Sequence, residues 1–268
     1  MKNALTALCF FAVLVLSGCV AEDEPTLQAS ILKIGKADTS IFMYGDQTVI
    51  IDAGEEDDGE EIVRFLDNKG IDKIDYFIIT HFDKDHVGGA DYVLQEKQIS
   101  ELLLPNYEGT HKEYDEFIEQ LKKTPIKPTV LNEDYEFALG EVQFLVNPPA
   151  KSSYKGDNDY SLVTSIRYKD ISMLFAGDAE EIRLQELLDQ NLGTSTLLKV
   201  PHHGRFNDNS ESFFNIVSPK YAVITSSDKN KEEKEVVNVL AGIGAQTYVT
   251  RNGDITIITN GKEFNIEQ

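Results

Sequence analysis

Cysteine is nearly missing from this chain. Of 268 residues only two are cysteines, Cys9 and Cys19, and both precede the polar stretch that opens after Val20. The remainder has no thiol, which excludes disulfides, a cysteine nucleophile and thiolate ligands; any metal must be held by His, Asp, Glu or Asn. Histidine is scarce as well, with five: His81, His86, His111, His202 and His203. Basic side chains are outnumbered, 25 against 46 acidic, for a net charge of −21. A surface of that sign repels polyphosphate backbones within a Debye length. It weighs against stable DNA binding, whose affinity rests on Lys and Arg contacts to phosphate, but leaves room for a small anion held directly on metal ions. Pro/Gly/Ser linkers and fixed-period repeats are absent too, so one domain is expected. A hydrophobic share of 41% is enough for a sizeable core.

Long apolar runs are lacking except near the start. Lys2 is followed by the stretch from Ala4 to Leu16, which has signal-peptide length and is too short for a comfortable membrane span. It ends in Leu16-Ser17-Gly18-Cys19, which resembles a bacterial lipobox. Residues 1–18 are therefore expected to be a lipoprotein signal peptide, 19–28 a lipidated Cys19 with a polar tether, and 29–268 the folded domain. Loss of Lys2 would take the charge to about −22. This reading predicts an extracytoplasmic protein, lipid-anchored to a bacterial membrane; a simple secretory signal is the alternative.

What is present is concentrated. The run Ile79-Thr80-His81-Phe82-Asp83-Lys84-Asp85-His86-Val87-Gly88-Gly89 packs four metal-ligand side chains directly behind Tyr76-Phe77-Ile78-Ile79, an apolar stretch that reads as a buried strand. A second pair of histidines stands in Lys199-Val200-Pro201-His202-His203-Gly204, again behind a strand-like stretch, Thr196-Leu197-Leu198. α/β proteins place their sites in loops at the C-terminal ends of strands. Two such clusters, in a chain with so few histidines, point to a metal site rather than to scattered structural histidines. The pair Gly88-Gly89 lets the backbone turn closely around whatever the ligands hold.

Periodicity places strands at Ser30–Ile34, Ser40–Tyr44, Thr48–Ile51, Asp75–Thr80, Leu102–Leu104, Val142–Val146, Leu162–Tyr168, Ser172–Phe175, Leu197–Val200, Tyr221–Ile224, Tyr248–Val249 and Ile255–Thr259. Helical spacing appears over Glu61–Lys69, Val87–Leu94, Tyr114–Leu121, Ala179–Leu188, Phe213–Val217 and Val236–Leu240. Strand runs with interspersed helices suit two packed sheets with helices outside. The acid run from Glu55 to Glu61 reads as a solvated helix start.

His-x-Asp-x-Asp-His followed by Gly-Gly resembles the signature of the metallo-β-lactamase fold, with Asp83 where that family more often has His. The Asp variant, together with Pro201-His202-His203-Gly204, is similar to the ComEC-like branch, typified by the hydrolase domain of a competence protein. Further matches follow in order: Ile50-Ile51-Asp52-Ala53-Gly54, Asn158-Asp159-Tyr160-Ser161-Leu162-Val163 and Phe175-Ala176-Gly177-Asp178-Ala179. The likeness runs from about Ala29 to Ile258.

The resemblance implies an α/β fold, the four-layer αββα sandwich, and two divalent metal ions. His81 and Asp83 would hold the first, Asp85 and His86 the second, and Asp178 would bridge them. His203 would join the second metal, and His202 would contact a phosphate or act as general acid; the two could be exchanged. Asp85 is counted with His202 as catalytic. Asp52 would support the metal loop from behind. The histidine usual in the third motif is missing, so Asn158 or Asp159 substitutes or the first site is incomplete. His111 could in principle supply the missing ligand, but its polar segment, from Glu108 to Glu113, favours a solvated surface residue. Arg205, where the branch commonly has Ser, would bind a substrate phosphate or carboxylate, or is a surface cation.

The oxygen-rich ligand set moves the expectation to zinc or manganese. The implied reaction is hydrolysis of a small anionic phosphodiester or related ester through a metal-bridged hydroxide. The alternatives are an extracellular nuclease, a lactonase or other carboxylic-ester hydrolase, and a non-catalytic metal-binding surface protein. β-Lactamase activity is not expected, because the second His and the third-motif His are both absent.

Overall fold

β-Branched and aromatic runs pair into two sheets in the computed structural model, which describes residues 25–190 and 192–268. The expected signal peptide and Cys19 lie outside the described residues. The first sheet comprises β1 (Leu27–Ile31), β2 (Ser40–Tyr44), β3 (Gln47–Ile51), β4 (Lys73–Ile78), β5 (Gln98–Pro105) and β6 (Thr129–Leu131), and is completed at its other side by β14 (Ile255–Thr259) and β15 (Phe264–Glu267). Its order is β15-β14-β1-β2-β3-β4-β5-β6. The second comprises β7 (Tyr135–Leu139), β8 (Val142–Asn147), β9 (Val163–Tyr168), β10 (Ile171–Phe175), β11 (Leu197–Lys199), β12 (Tyr221–Ile224) and β13 (Gln246–Val249), in the order β13-β12-β11-β10-β9-β8-β7.

The facing sides of the sheets bury one apolar layer. Phe42 meets Phe144 and Phe175 edge to face, at centroid distances of 5.8 and 5.0 Å. All three are almost fully buried, so truncating one to Ala would cost about 3–5 kcal/mol. The outer faces are covered by helices. On the first sheet, α1 (Gly59–Asn68), α3 (Ala90–Glu96) and α4 (Lys112–Leu121) place Ile62, Leu66, Val93 and Phe117 over Ile50, Phe77 and Leu102. On the second, α5 (Glu181–Asp189), α6 (Ser210–Val217) and α7 (Lys234–Gly242) place Leu184, Phe213, Phe214 and Leu240 over Leu174, Leu198 and Ala222. This is the αββα sandwich the sequence led us to expect.

Local differences have physical reasons. β1 begins at Leu27, inside the segment expected to be tether. The expected helix Val87–Leu94 is two pieces, a short α2 (Lys84–Val87) and α3, parted by Gly88 and Gly89. A Cβ on Gly88 would sit 2.5 Å from Glu56 N, and one on Gly89 2.5 Å from Ala53 O. The glycine pair thus lets the metal loop pack against the backbone that follows β3; it does not turn around a ligand.

β3, β4 and β5 run parallel, as do β10, β11 and β12. Their C-terminal ends deliver Asp52, the loop from Thr80 to His86, Asp178, the 3-10 turn Pro201–Gly204 and Thr225 to one region between the sheets.

Candidate metal centre

Three histidine rings meet at the mouth between the sheets. The His86 ring lies 4.1 Å from that of His81 and 5.4 Å from that of His203. His81 and His86 are fully buried and His203 nearly so. Asp178 joins them. Its Oδ1 lies 3.2 Å from His86 Nε2 and its Oδ2 3.1 Å from His203 Nε2, while Asp85 Oδ2 is 3.4 Å from the same His203 nitrogen. These contacts lack hydrogen-bond geometry. The Nε2 atoms of His81, His86 and His203, and Oδ1 of Asp178, are sealed from solvent without a hydrogen-bond partner among the described residues. Buried polar atoms are normally satisfied, so four orphans converging on one region fit a metal cluster. Ligand atoms of His81, His86 and Asp178 lie within 4.8 Å of one another, and so do those of Asp85, His86 and His203.

The opposite ring nitrogens are all held. His86 Nδ1 is 2.8 Å from Asp52 Oδ2. Asp52 also accepts from Thr80 N at 2.7 Å and from the Thr80 hydroxyl at 2.8 Å, and so braces the loop from behind. His203 Nδ1 is 2.9 Å from the Thr225 hydroxyl, which itself donates to Asp38 Oδ1 at 2.5 Å. Such partners fix ring orientation and present Nε2 to a metal. The backbone is bent to the same end. Asp52 has φ +62°, His202 +48° and His203 +52°, left-handed conformations that cost these side chains about 1–2 kcal/mol each. Asp178 is set by the turn at Gly177, whose φ is +54° and whose missing Cβ leaves room for the Ser161 hydroxyl; that hydroxyl accepts the Asp178 N–H at 3.0 Å.

Two buried residues at the centre escaped the sequence reading. Asp38 lies 3.4 Å from His203 Nδ1 and 3.9 Å from His86 Nδ1, and its carboxylate is paired with the Lys199 ammonium. Lys199 Nζ also stands 4.0 Å from Asp178 Oδ1. Burial alone would neutralise both, but Lys199, His203 and His86 hold the Asp38 carboxyl below its usual range, and Asp38 and Asp178 hold Lys199 above its own. Asp178 is held well below the carboxylate range, because His203 and His86 outweigh its burial. Burial and the neighbouring His86 push His81 well down, leaving it neutral and able to ligate. An Asp between two strands and a Lys inside the apolar Leu197–Val200 run were the available signals.

The remaining candidates divide. Asp83 lies beside His81, with Oδ2 3.8 Å from Nε2. His202 stays at the mouth, one-fifth exposed, with Nδ1 3.0 Å from Glu180 Oε1 and Nε2 4.0 Å from Asp178 Oδ2. The geometry therefore puts His203 inside the cluster and His202 at its opening. Asn158 directs its amide nitrogen to Glu180 at 3.2 Å. Asp159 is turned to the start of α5, where Oδ1 accepts from Glu180 N and Arg183 N; that carboxylate is engaged in capping a helix. Arg205 is half exposed, 3.2 Å from Glu233, and shares a cleft of about 830 Å³ with Lys36, Lys84 and Asp85. His111, read as a solvated surface residue, is half exposed but lies 3.7 Å from Asp83 Oδ1.

A family model described as the metallo-beta-lactamase superfamily matches residues 36–226. Among curated proteins, the chain is 27% identical over 176 residues to ComE operon protein 3 of Bacillus subtilis, covering 65% of this chain and 23% of that protein. It is 25% identical over 228 residues to competence protein ComA of Neisseria gonorrhoeae, covering 82% of this chain and 30% of that protein. The chain thus spans less than a third of either relative. Among solved structures, the metallo-beta-lactamase fold protein YhfI from Bacillus subtilis superposes with a TM-score of 0.61 at 11% identity, over 87% of this chain and all of that one.

Proposed function

From its membership of the metallo-beta-lactamase superfamily, to which this chain belongs, we propose that the protein is a hydrolase using two divalent cations, zinc or manganese, to cleave a phosphodiester or related small anionic ester. The observation that carries the reading is the set of buried, unpartnered ligand atoms on His81, His86, His203 and Asp178. When bound, such a cation pair supplies a water of lowered pKa and neutralises charge at the attacked centre.

The chain's own residues do the rest. Asp85, His86 and His203 would hold the second cation and His81 and Asp83 the first, with Asp178 placed to serve both. Asp52 and Thr225 hold the imidazoles in register, so the ligand geometry is set before a substrate arrives. His202 faces the opening with Nε2 towards Asp178, placed to give a proton to a leaving group. Glu180 orients it, and the hydrogen bond from His202 keeps the Glu180 carboxyl below its usual range and therefore charged. Arg205 and Lys84 line the cleft that Asp85 shares, beside Lys36, which pairs with Asp85 at 3.1 Å, and the carboxylates of Glu55, Asp57, Asp58 and Glu61; of these, Arg205 and Lys84 would meet the anionic part of the substrate.

The charge of −21 favours a small ester over polymeric DNA, which sets this reading apart from a nuclease. Anchoring through Cys19 on the outer side of a bacterial membrane belongs to the same proposal. The experiment is turnover of bis(p-nitrophenyl) phosphate, a lactone and single-stranded DNA by protein loaded with manganese or zinc. Phosphodiester cleavage alone, abolished by a chelator, is the expected result. Lactone cleavage alone moves the function to carboxylic esters, and no turnover on any of them contradicts a hydrolase.

A further inference from the structure

We infer that His111 and Asp157 complete the first metal position around Asp83, in place of the histidine missing from the segment at Asn158. The inference rests on the two-cation reading above.

Asp83 faces two ways. Its Oδ2 lies 3.8 Å from His81 Nε2 on the buried side, and its Oδ1 lies 3.7 Å from His111 Nε2 on the open side. A carboxylate oxygen of Asp157 falls within 4.8 Å of both the Asp83 and the His111 ligand atoms. Bonds from zinc to nitrogen or oxygen are about 2.0–2.2 Å, so neighbouring ligands of one ion stand roughly 3–4 Å apart. The separations of Asp83 from His81 and His111 suit that spacing, and Asp157 lies close enough to join by a small side-chain rotation. Two further observations point the same way. His81 is fully buried, and its Nε2, turned to Asp83, has no hydrogen-bond partner among the described residues. Asp157 Oδ2 is likewise sealed from solvent and unpartnered. The residues expected to replace the histidine are occupied elsewhere: Asn158 reaches towards Glu180 and His202, and Asp159 caps α5.

Aromatic packing brings these ligands together from three separate loops. The Tyr107 hydroxyl accepts the N–H of Phe82, in the metal loop, at 2.6 Å. The Tyr107 ring stacks on Tyr160 at 4.0 Å, which draws in the 3-10 turn Asp157–Tyr160. Phe82 packs on Tyr114 of α4 at 4.7 Å, and His111 is the residue that opens that helix. Gly109 fits between them: a Cβ there would meet Tyr114 at 2.6 Å and Phe82 at 2.8 Å. Phe82 and Tyr107 together therefore link the segments that carry Asp83, His111 and Asp157. The half-exposed His111 leaves this side open as an entry path.

The test is manganese titration of metal-free protein, counting bound ions by the loss of the free-manganese EPR signal, for wild type, His111→Ala, Asp157→Asn and Asn158→Ala. Circular dichroism checks that each is folded. Wild type and Asn158→Ala are expected to take up about two ions. His111→Ala and Asp157→Asn are expected to keep one and to bind the other at least about tenfold more weakly. Two ions bound with unchanged affinity in both variants would overturn the inference and leave the two-cation reading standing. So would three ions in wild type, which would make the cluster a separate site. Fewer than two ions in wild type would overturn the two-cation reading and this inference with it.

Discussion

Asp52 Oδ2 holds His86 Nδ1 at 2.8 Å, and this contact aims the other ring nitrogen at Asp178, 3.2 Å away. Asp52 spends its remaining capacity on Thr80, at the head of the metal loop. An Asn keeps the shape and tolerates the positive φ but cannot accept all three hydrogen bonds. Asp52→Asn is expected to weaken metal binding by about 10–100-fold, read by competition with a chelator. Unchanged affinity would show that the ring is positioned by packing alone.

Lys199 sits among Asp38 and Asp178, almost without exposure. Removing one partner of a buried ion pair leaves an uncompensated charge, at a cost of about 3–5 kcal/mol. Lys199→Met should therefore destabilise the metal-free protein by about that much in urea, and added manganese should recover most of the loss. A metal-free protein as stable as wild type would remove the lysine from the account.

Gly89 has no room for a methyl group. Its Cβ would stand 2.5 Å from Ala53 O and 2.6 Å from Gly59 N, both backbone atoms that cannot swing aside. Gly89→Ala should cost about 1–3 kcal/mol and loosen the metal loop, seen as a lower melting temperature together with weaker metal binding. Loss of neither would mean that the two loops can part freely.

Asp58, in the acid run before α1, carries a pH signature. Burial, with neighbouring Glu55, Glu61 and Asp57, pushes its carboxyl up to about 6 against an unfolded value of 3.8. Between those values the folded state holds more protons than the unfolded, so stability falls as pH rises through the window. The melting temperature should rise when the pH is lowered from 7 to 5. In Asp58→Asn that dependence should flatten and the value at pH 7 should be higher. An identical pH profile in the two proteins would contradict this.

The strands that carry the site could be read from the sequence because their apolar runs are buried on both faces, as in Tyr76–Ile79 and Leu197–Leu198. Three strands went unread: Thr129–Leu131, Tyr135–Leu139 and Phe264–Glu267. All three lie at sheet edges, where partial exposure admits charged and polar residues and blurs the alternation. The same limit applies at the site. His81, Asp85, His86 and the pair His202-His203 stood out because ligand types follow strands, whereas Asp178, a lone Asp after Gly, was raised only by its place in the order of the motifs that carry the resemblance. Asp38 and Lys199 did not, because a carboxylate and an ammonium that neutralise each other 161 positions apart leave no local pattern. His111 looked like a surface residue, since its neighbours Glu108, Lys112 and Glu113 are polar; what brings it to Asp83 is the packing of Phe82, in the metal loop, on Tyr114 of the helix that His111 opens.

The most direct test of the central claim is metal content and bis(p-nitrophenyl) phosphate turnover measured on one sample of residues 20–268, beside Asp178→Ala. About two divalent ions per chain are expected, with turnover that falls about a thousandfold or more when Asp178 is removed, the size of several kcal/mol of lost charge stabilisation. One ion or none, with turnover untouched by the substitution, would contradict the claim.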